Sequence, residues 1–140
     1  MSRKFCKRLP AFLESYMSRE LSLGETIRFF RKRKGLSLRE LAKNSNVSPI
    51  YISELENGKK INPSEEILHR IVKGLDLTQT DMIYLLDRYS VETGRISPDI
   101  TEYIINNRLV QIALRVAKEK GASQKDWANF IINIYKKISE

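Results

Sequence analysis

Leu36–Lys60 reads LSLRELAKNSNVSPIYISELENGKK, and its punctuation divides it into two short helices joined by a tight turn. Ser37 and Glu40 have the spacing of a capping box, in which hydroxyl and carboxylate each satisfy a backbone N–H left over at a helix start. Ser48 before Pro49 marks a second start, because serine caps well and proline's missing N–H is no loss at the first helical position. The spacing predicts helices over 38–45 and 49–56. At about 100° per residue, Tyr51, Ile52 and Leu55 fall on one side of the second helix, with Val47 leading into it. Pro49, Ile50, Ser53, Glu54 and Asn57 fall on the other. Leu41 anchors the first helix, and Ala42 is small where two helices must cross closely.

Outward from this stretch the signals stay helical. Ser22 with Glu25 forms another capping box, and Thr78 with Asp81 and Ser123 with Asp126 mark further starts. Ser64 precedes Glu65 and Glu66, which place acids at the positive end of a helix. Gly35, Gly58, Gly74 and Gly121 stand where helices are expected to stop. Further helices are predicted over 10–19, 23–34, 65–74, 79–89, 99–106, 108–120 and 124–138. The polar run Ser90–Ser97 is the expected linker. RKRKGLSLRELA at 31–42 is echoed by AKEKGASQKDWA at 117–128, and we read the echo as a shared helix–glycine–capped-helix corner.

Leu41-Ala42, Asn46-Val47-Ser48, Ile52-Ser53, Leu55-Glu56-Asn57-Gly58-Lys59, Pro63-Ser64 and Gly74-Leu75 together resemble the phage repressor and Cro class of helix-turn-helix regulators, the xenobiotic-response-element family. The resemblance covers about half the chain. It implies an all-α fold: a five-helix repressor-like domain over 22–89, preceded by a basic arm or short helix at 1–21 and followed by a helical extension at 96–140. The implied function is sequence-specific binding of double-stranded DNA, as a repressor acting as a dimer on an inverted-repeat operator. The alternative is a protein whose main role is to bind another protein, as antitoxins, antirepressors and phage-encoded inhibitors do.

The presented side of 49–57 suits the major groove. The resemblance implies base contacts from Ser48, Pro49, Ile50, Ser53 and Glu54. Ile50 is suited to a thymine methyl and Glu54 to cytosine N4. Ser37, Arg39, Lys43, Tyr51, Asn57, Lys59 and Lys60 are the implied phosphate contacts. Many family members carry a phosphate-gripping glutamine where this chain has Leu38, so that contact is either lost or replaced by Ser37 and Arg39. Arg31 and Glu56 match the family's buried ion pair rather than a DNA contact.

The C-terminal helices carry a different pattern. Trp127, Phe130, Ile131, Ile134 and Ile138 form one apolar stripe, and Leu109, Ile112, Ala113, Val116 and Ala117 another. Such faces either close on the preceding domain or pair with a second copy. Ile132 and Tyr135 widen the first stripe beyond what a small satellite needs, which favours a homodimer through Ile112, Val116, Trp127, Phe130, Ile131 and Ile134.

Composition agrees. The 140 residues carry a formal net charge of +8, which favours polyanionic partners. The excess is polarised: residues 1–34 hold ten Lys/Arg against three acids, whereas 61–95 hold four against six. No apolar run is long enough for a membrane span and no signal peptide is legible, so a cytoplasmic protein is expected. The lone Cys6 has no intramolecular disulfide partner. His69 is the only histidine, and there is neither a metal-ligand cluster nor a glycine-rich phosphate loop. An enzyme is not expected, nor any cofactor or metal. A protein antagonist is a possible further partner.

Overall fold

A computed structural model describes residues 21–139. Among them the chain is entirely helical: α1 Leu23–Arg33, α2 Leu38–Ser45, α3 Pro49–Glu56, α4 Glu65–Leu75, α5 Gln79–Thr93, α6 Pro98–Asn106, α7 Arg108–Lys120 and α8 Gln124–Ser139. The expected starts are present as hydrogen bonds. Both capping boxes close reciprocally, Ser22 with Glu25 and Ser37 with Glu40. The hydroxyls of Ser48, Ser64 and Thr78 accept from the N–H three residues on, at 3.1, 3.2 and 3.3 Å. The predicted helix over 10–19 and Cys6 lie outside the described residues.

Two expectations need revision. Gly74 does not stop its helix; α4 runs through it to Leu75, and Asp76 makes the left-handed turn at φ 48°. A Cβ on Gly74 would stand 2.3 Å from Ser45 Oγ, so this glycine serves the close crossing of α4 over the end of α2. The helix predicted over 79–89 continues to Thr93, taking half of the expected linker with it. Buried Tyr89 holds that last turn in place, and its carbonyl accepts from Thr93 Oγ1 at 2.7 Å.

The chain divides into two compact units, one closing at Glu102 and the other opening at Tyr103, within α6. In the first, α2 packs on α3 and α4, and α1 packs on α3 and α5. The core is Leu23, Ile27 and Phe30 of α1, Leu41 and Ala42 of α2, Ile52 and Leu55 of α3, Leu68, Ile71 and Leu75 of α4, and Tyr84 to Leu86 with Tyr89 of α5. Each large apolar side chain so buried contributes about 1.5–3 kcal/mol relative to exposure. Gly24 lets α1 approach α3 closely, since a Cβ there would lie 2.1 Å from the Leu55 carbonyl oxygen. The Leu23 N–H, left over at the start of α1, donates to Glu92 Oε1 of α5 at 2.7 Å.

The second unit reads differently. From Tyr103 onward, Ala128 is the one buried residue among those described. Its α7–α8 corner repeats the α1–α2 corner: Gly35 and Gly121 both turn at positive φ, and Ser123 and Asp126 cap each other as Ser37 and Glu40 do. The sequence echo is therefore a shared corner, and no further helix follows α8 among the described residues.

Candidate nucleic-acid interface

The turn between α2 and α3 is made by Asn46 in the left-handed conformation, φ 52° and ψ 47°. Asparagine tolerates that region better than most side-chain-bearing residues, and its use here joins α2 to α3 through only three residues, Asn46 to Ser48. Ser48 then caps α3 and Pro49 opens it. Ile52 and Leu55 are buried and Tyr51 is half-buried, while Ser48, Pro49 and Ile50 are exposed. Ile50 is 73% exposed, an apolar side chain held in water at the head of a helix whose opposite side is core.

The buried Arg31–Glu56 pair fixes the far end of α3. Arg31 Nε and Nη2 donate to Glu56 Oε1 and Oε2 at 2.6 and 3.0 Å, and Nη1 donates to the Leu36 carbonyl at 2.9 Å. One guanidinium thus ties α1 to α3 and to the turn before α2. The bidentate bond to Glu56 raises the Arg31 pKa above its ordinary value, opposed by burial and aided by the carboxylate's charge.

Exposed cations stand at both ends of α3. Arg39 and Lys43 lie one turn apart on α2 and line a shallow depression with Asn46, Ser48 and Pro49. Lys59 is exposed beyond the other end of α3. Ser37 is engaged in its capping box, where its N–H and hydroxyl hold the Glu40 carboxyl below the usual range. That cap therefore stabilises the fold above the unfolded carboxylate pKa, and its contribution is lost as pH falls through the lower folded value.

The remaining expected residues are drawn together at the end of α3. Asn57 Nδ2 donates to Ser53 Oγ at 3.3 Å. Lys60 turns back onto the helix, its ammonium 3.5 Å from Glu54 Oε2 and 4.5 Å from the Tyr51 ring centre. The sequence reading missed this fold-back, although Asn57-Gly58 is a turn signal that could have shown it. It also missed Glu92 at the start of α1, a contact across 69 residues with no local signature.

The expected dimer residues all belong to the second unit. Ile112 and Val116 on α7 and Phe130, Ile131 and Ile134 on α8 are exposed, and Trp127 is half-buried with its ring edge-on to Phe130. No described helix is long and apolar enough to cross a membrane.

Comparison with known proteins adds independent findings. Residues 27–81 match a family model described as Helix-turn-helix. The HTH-type transcriptional regulator SlrR of Bacillus subtilis is 36% identical over 70% of this chain and 60% of its own length. The HTH-type transcriptional regulator SinR of Bacillus licheniformis is 31% identical over 78% of this chain and 88% of its own length. The chain thus spans less than two thirds of the first relative and most of the second. A chain of the solved SinR/SinI complex is 26% identical and covers 84% of this chain and 99% of its own, at a TM-score of 0.44, too low to bear on the fold.

Proposed function

The chain belongs to the helix-turn-helix transcriptional regulators, and from that premise we propose that it is a repressor that binds a specific duplex DNA operator through α3, as a homodimer, in the cytoplasm. The observation that carries this reading is the presented side of α3. Exposed Ile50 stands at its head, and exposed cations flank the helix, Arg39 and Lys43 beside Ser48 and Pro49 and Lys59 just past its other end. In the major groove the Ile50 side chain leaves water against a thymine methyl, while Ser48, Pro49, Ser53 and Glu54 face base edges. Ser37, Arg39, Lys43, Tyr51, Asn57 and Lys59 set the register against the phosphates.

The dimer rests on the second unit. Eleven large apolar residues from Tyr103 to Ile138 are exposed, Leu109 at 76% and Ile138 at 81% among them. That much uncovered apolar surface on a small helical unit is the mark of an interaction face. We assign Ile112, Val116, Trp127, Phe130, Ile131 and Ile134 to a self-complementary contact that sets two α3 helices on successive half-sites.

Salt dependence tests the DNA reading. Affinity of the full-length protein for its operator is expected to fall by about 0.9 log unit per log unit of salt for each phosphate neutralised. Lys43→Ala and Lys59→Ala are each expected to flatten that slope by about one unit without changing the preferred sequence. An affinity that does not respond to salt would count against DNA as the partner.

A further inference from the structure

Among the basic residues around α3, Lys60 differs in how it is held. Gly58 turns the chain at φ 75°, and the Lys59 and Lys60 N–H groups both donate to the Glu54 carbonyl, at 2.9 and 3.1 Å. This brings the Lys60 side chain, still exposed, back along α3. Its ammonium then sits over the Tyr51 ring and against Glu54 Oε2. Arg39, Lys43 and Lys59 have no such partner among the described residues.

Glu54 raises a problem that this arrangement solves. A carboxylate on a surface that enters the groove is repelled by the phosphates on either side. The repulsion grows as the closing interface excludes water and salt. An exposed ion pair of this kind contributes little to stability in free protein. Its effect belongs to the bound state, where the same two charges are shielded from water. The ammonium of Lys60 stands 3.5 Å from Oε2, and neither Glu54 carboxylate oxygen accepts a hydrogen bond from a described residue. The charge of the carboxylate is partly offset while its oxygens stay open to a donor.

We infer that Lys60 is a positioning residue for base readout: resting on the Tyr51 ring, it holds the Glu54 carboxylate so that one of its oxygens accepts from the exocyclic amine of a cytosine. The inference rests on the proposed DNA reading. It departs from the expectation that Lys60 is one more phosphate contact. Lys60 acts through Glu54, so its loss changes which sequence is preferred as well as how tightly DNA binds.

The test uses full-length protein carrying Lys60→Met, Lys60→Arg, Glu54→Gln or Glu54→Gln with Lys60→Met. Each is measured against the wild-type preferred duplex and its single-base-pair variants, over a range of salt. Lys60→Met and Glu54→Gln should both reduce discrimination at the same base pair, by about tenfold or more, and leave the other positions unchanged. Lys60→Arg should keep that discrimination, and the double variant should be no less selective than Glu54→Gln alone. The inference is overturned if Lys60→Met weakens every sequence equally and lowers the salt slope by about 0.9, the behaviour of a simple phosphate contact. It is equally overturned if Glu54→Gln leaves the preference intact. Should wild-type protein prefer no sequence at all, the DNA reading itself fails, and that outcome is distinct from both.

Discussion

Glu56→Ala is expected to destabilise the first unit by about 3–5 kcal/mol, because it leaves the Arg31 guanidinium buried without its carboxylate. Both partners are 8% exposed, and among the described residues Glu56 is the acid paired with Arg31. After truncation the guanidinium keeps, among the described residues, one bond, to the Leu36 carbonyl. Replacing both members, Arg31→Met with Glu56→Leu, should cost much less than the single change, since packed apolar side chains need no desolvation of charge. Thermal unfolding of the three proteins reads the difference, at roughly 4–8 °C per kcal/mol for a unit of this size. DNA binding should weaken with Glu56→Ala even below its melting point, because the same pair fixes the end of α3. If the single and double variants lose equal stability, the pair is not the tie between α1 and α3 described here.

The second large effect concerns assembly. Phe130→Glu with Ile134→Glu, in the full-length protein, is expected to give a folded monomer with at least about 100-fold weaker operator binding. Both side chains are more than two fifths exposed, so the charges meet water and leave the fold of one chain intact. In a dimer they would be buried against their own twins, where like charges repel and the burial of apolar surface, worth about 25 cal/mol per Å², is forfeited. The loss of affinity follows from avidity. Two linked half-site contacts exceed one by about 10²–10⁴-fold, and a monomer has one. Sedimentation and gel shifts together decide the point. A variant that remains dimeric would place the contact elsewhere, and a wild-type protein that is monomeric at micromolar concentration would remove it altogether.

Much of this architecture is legible in the chain. The bounds of α2, α3 and α7 agree with the predicted helices to the residue, because serine, asparagine, proline and glycine mark both ends with local hydrogen bonds. What escaped notice is non-local. Gly74 reads as a helix stop because a sequence does not distinguish a glycine needed for positive φ from one needed for close approach; here Ser45 on a neighbouring helix makes the difference. The extra turn of α5 depends on burial of Tyr89, and the capping of α1 by Glu92 depends on a partner far along the chain. At the proposed interface, the wheel of α3 separates core from presented side correctly, with Ile52 and Leu55 buried and Ile50 exposed. The wheel treats each presented residue as free, however, whereas Ser53 bonds Asn57 and Glu54 is held by Lys60. Apolar stripes on α7 and α8 are equally plain in the sequence. A stripe says which residues share a face and nothing about what covers it.

Whether α3 reads duplex DNA is decided by selection from a random duplex library with the full-length protein. The expected result is one motif, two-fold repeated, with half-site centres about 10 bp apart or a multiple of that. Ile50→Ala should relax the preference at a thymine within each half-site. Recovery of no motif, or of one that Ile50→Ala and Glu54→Ala both leave unchanged, would rule out base readout by α3.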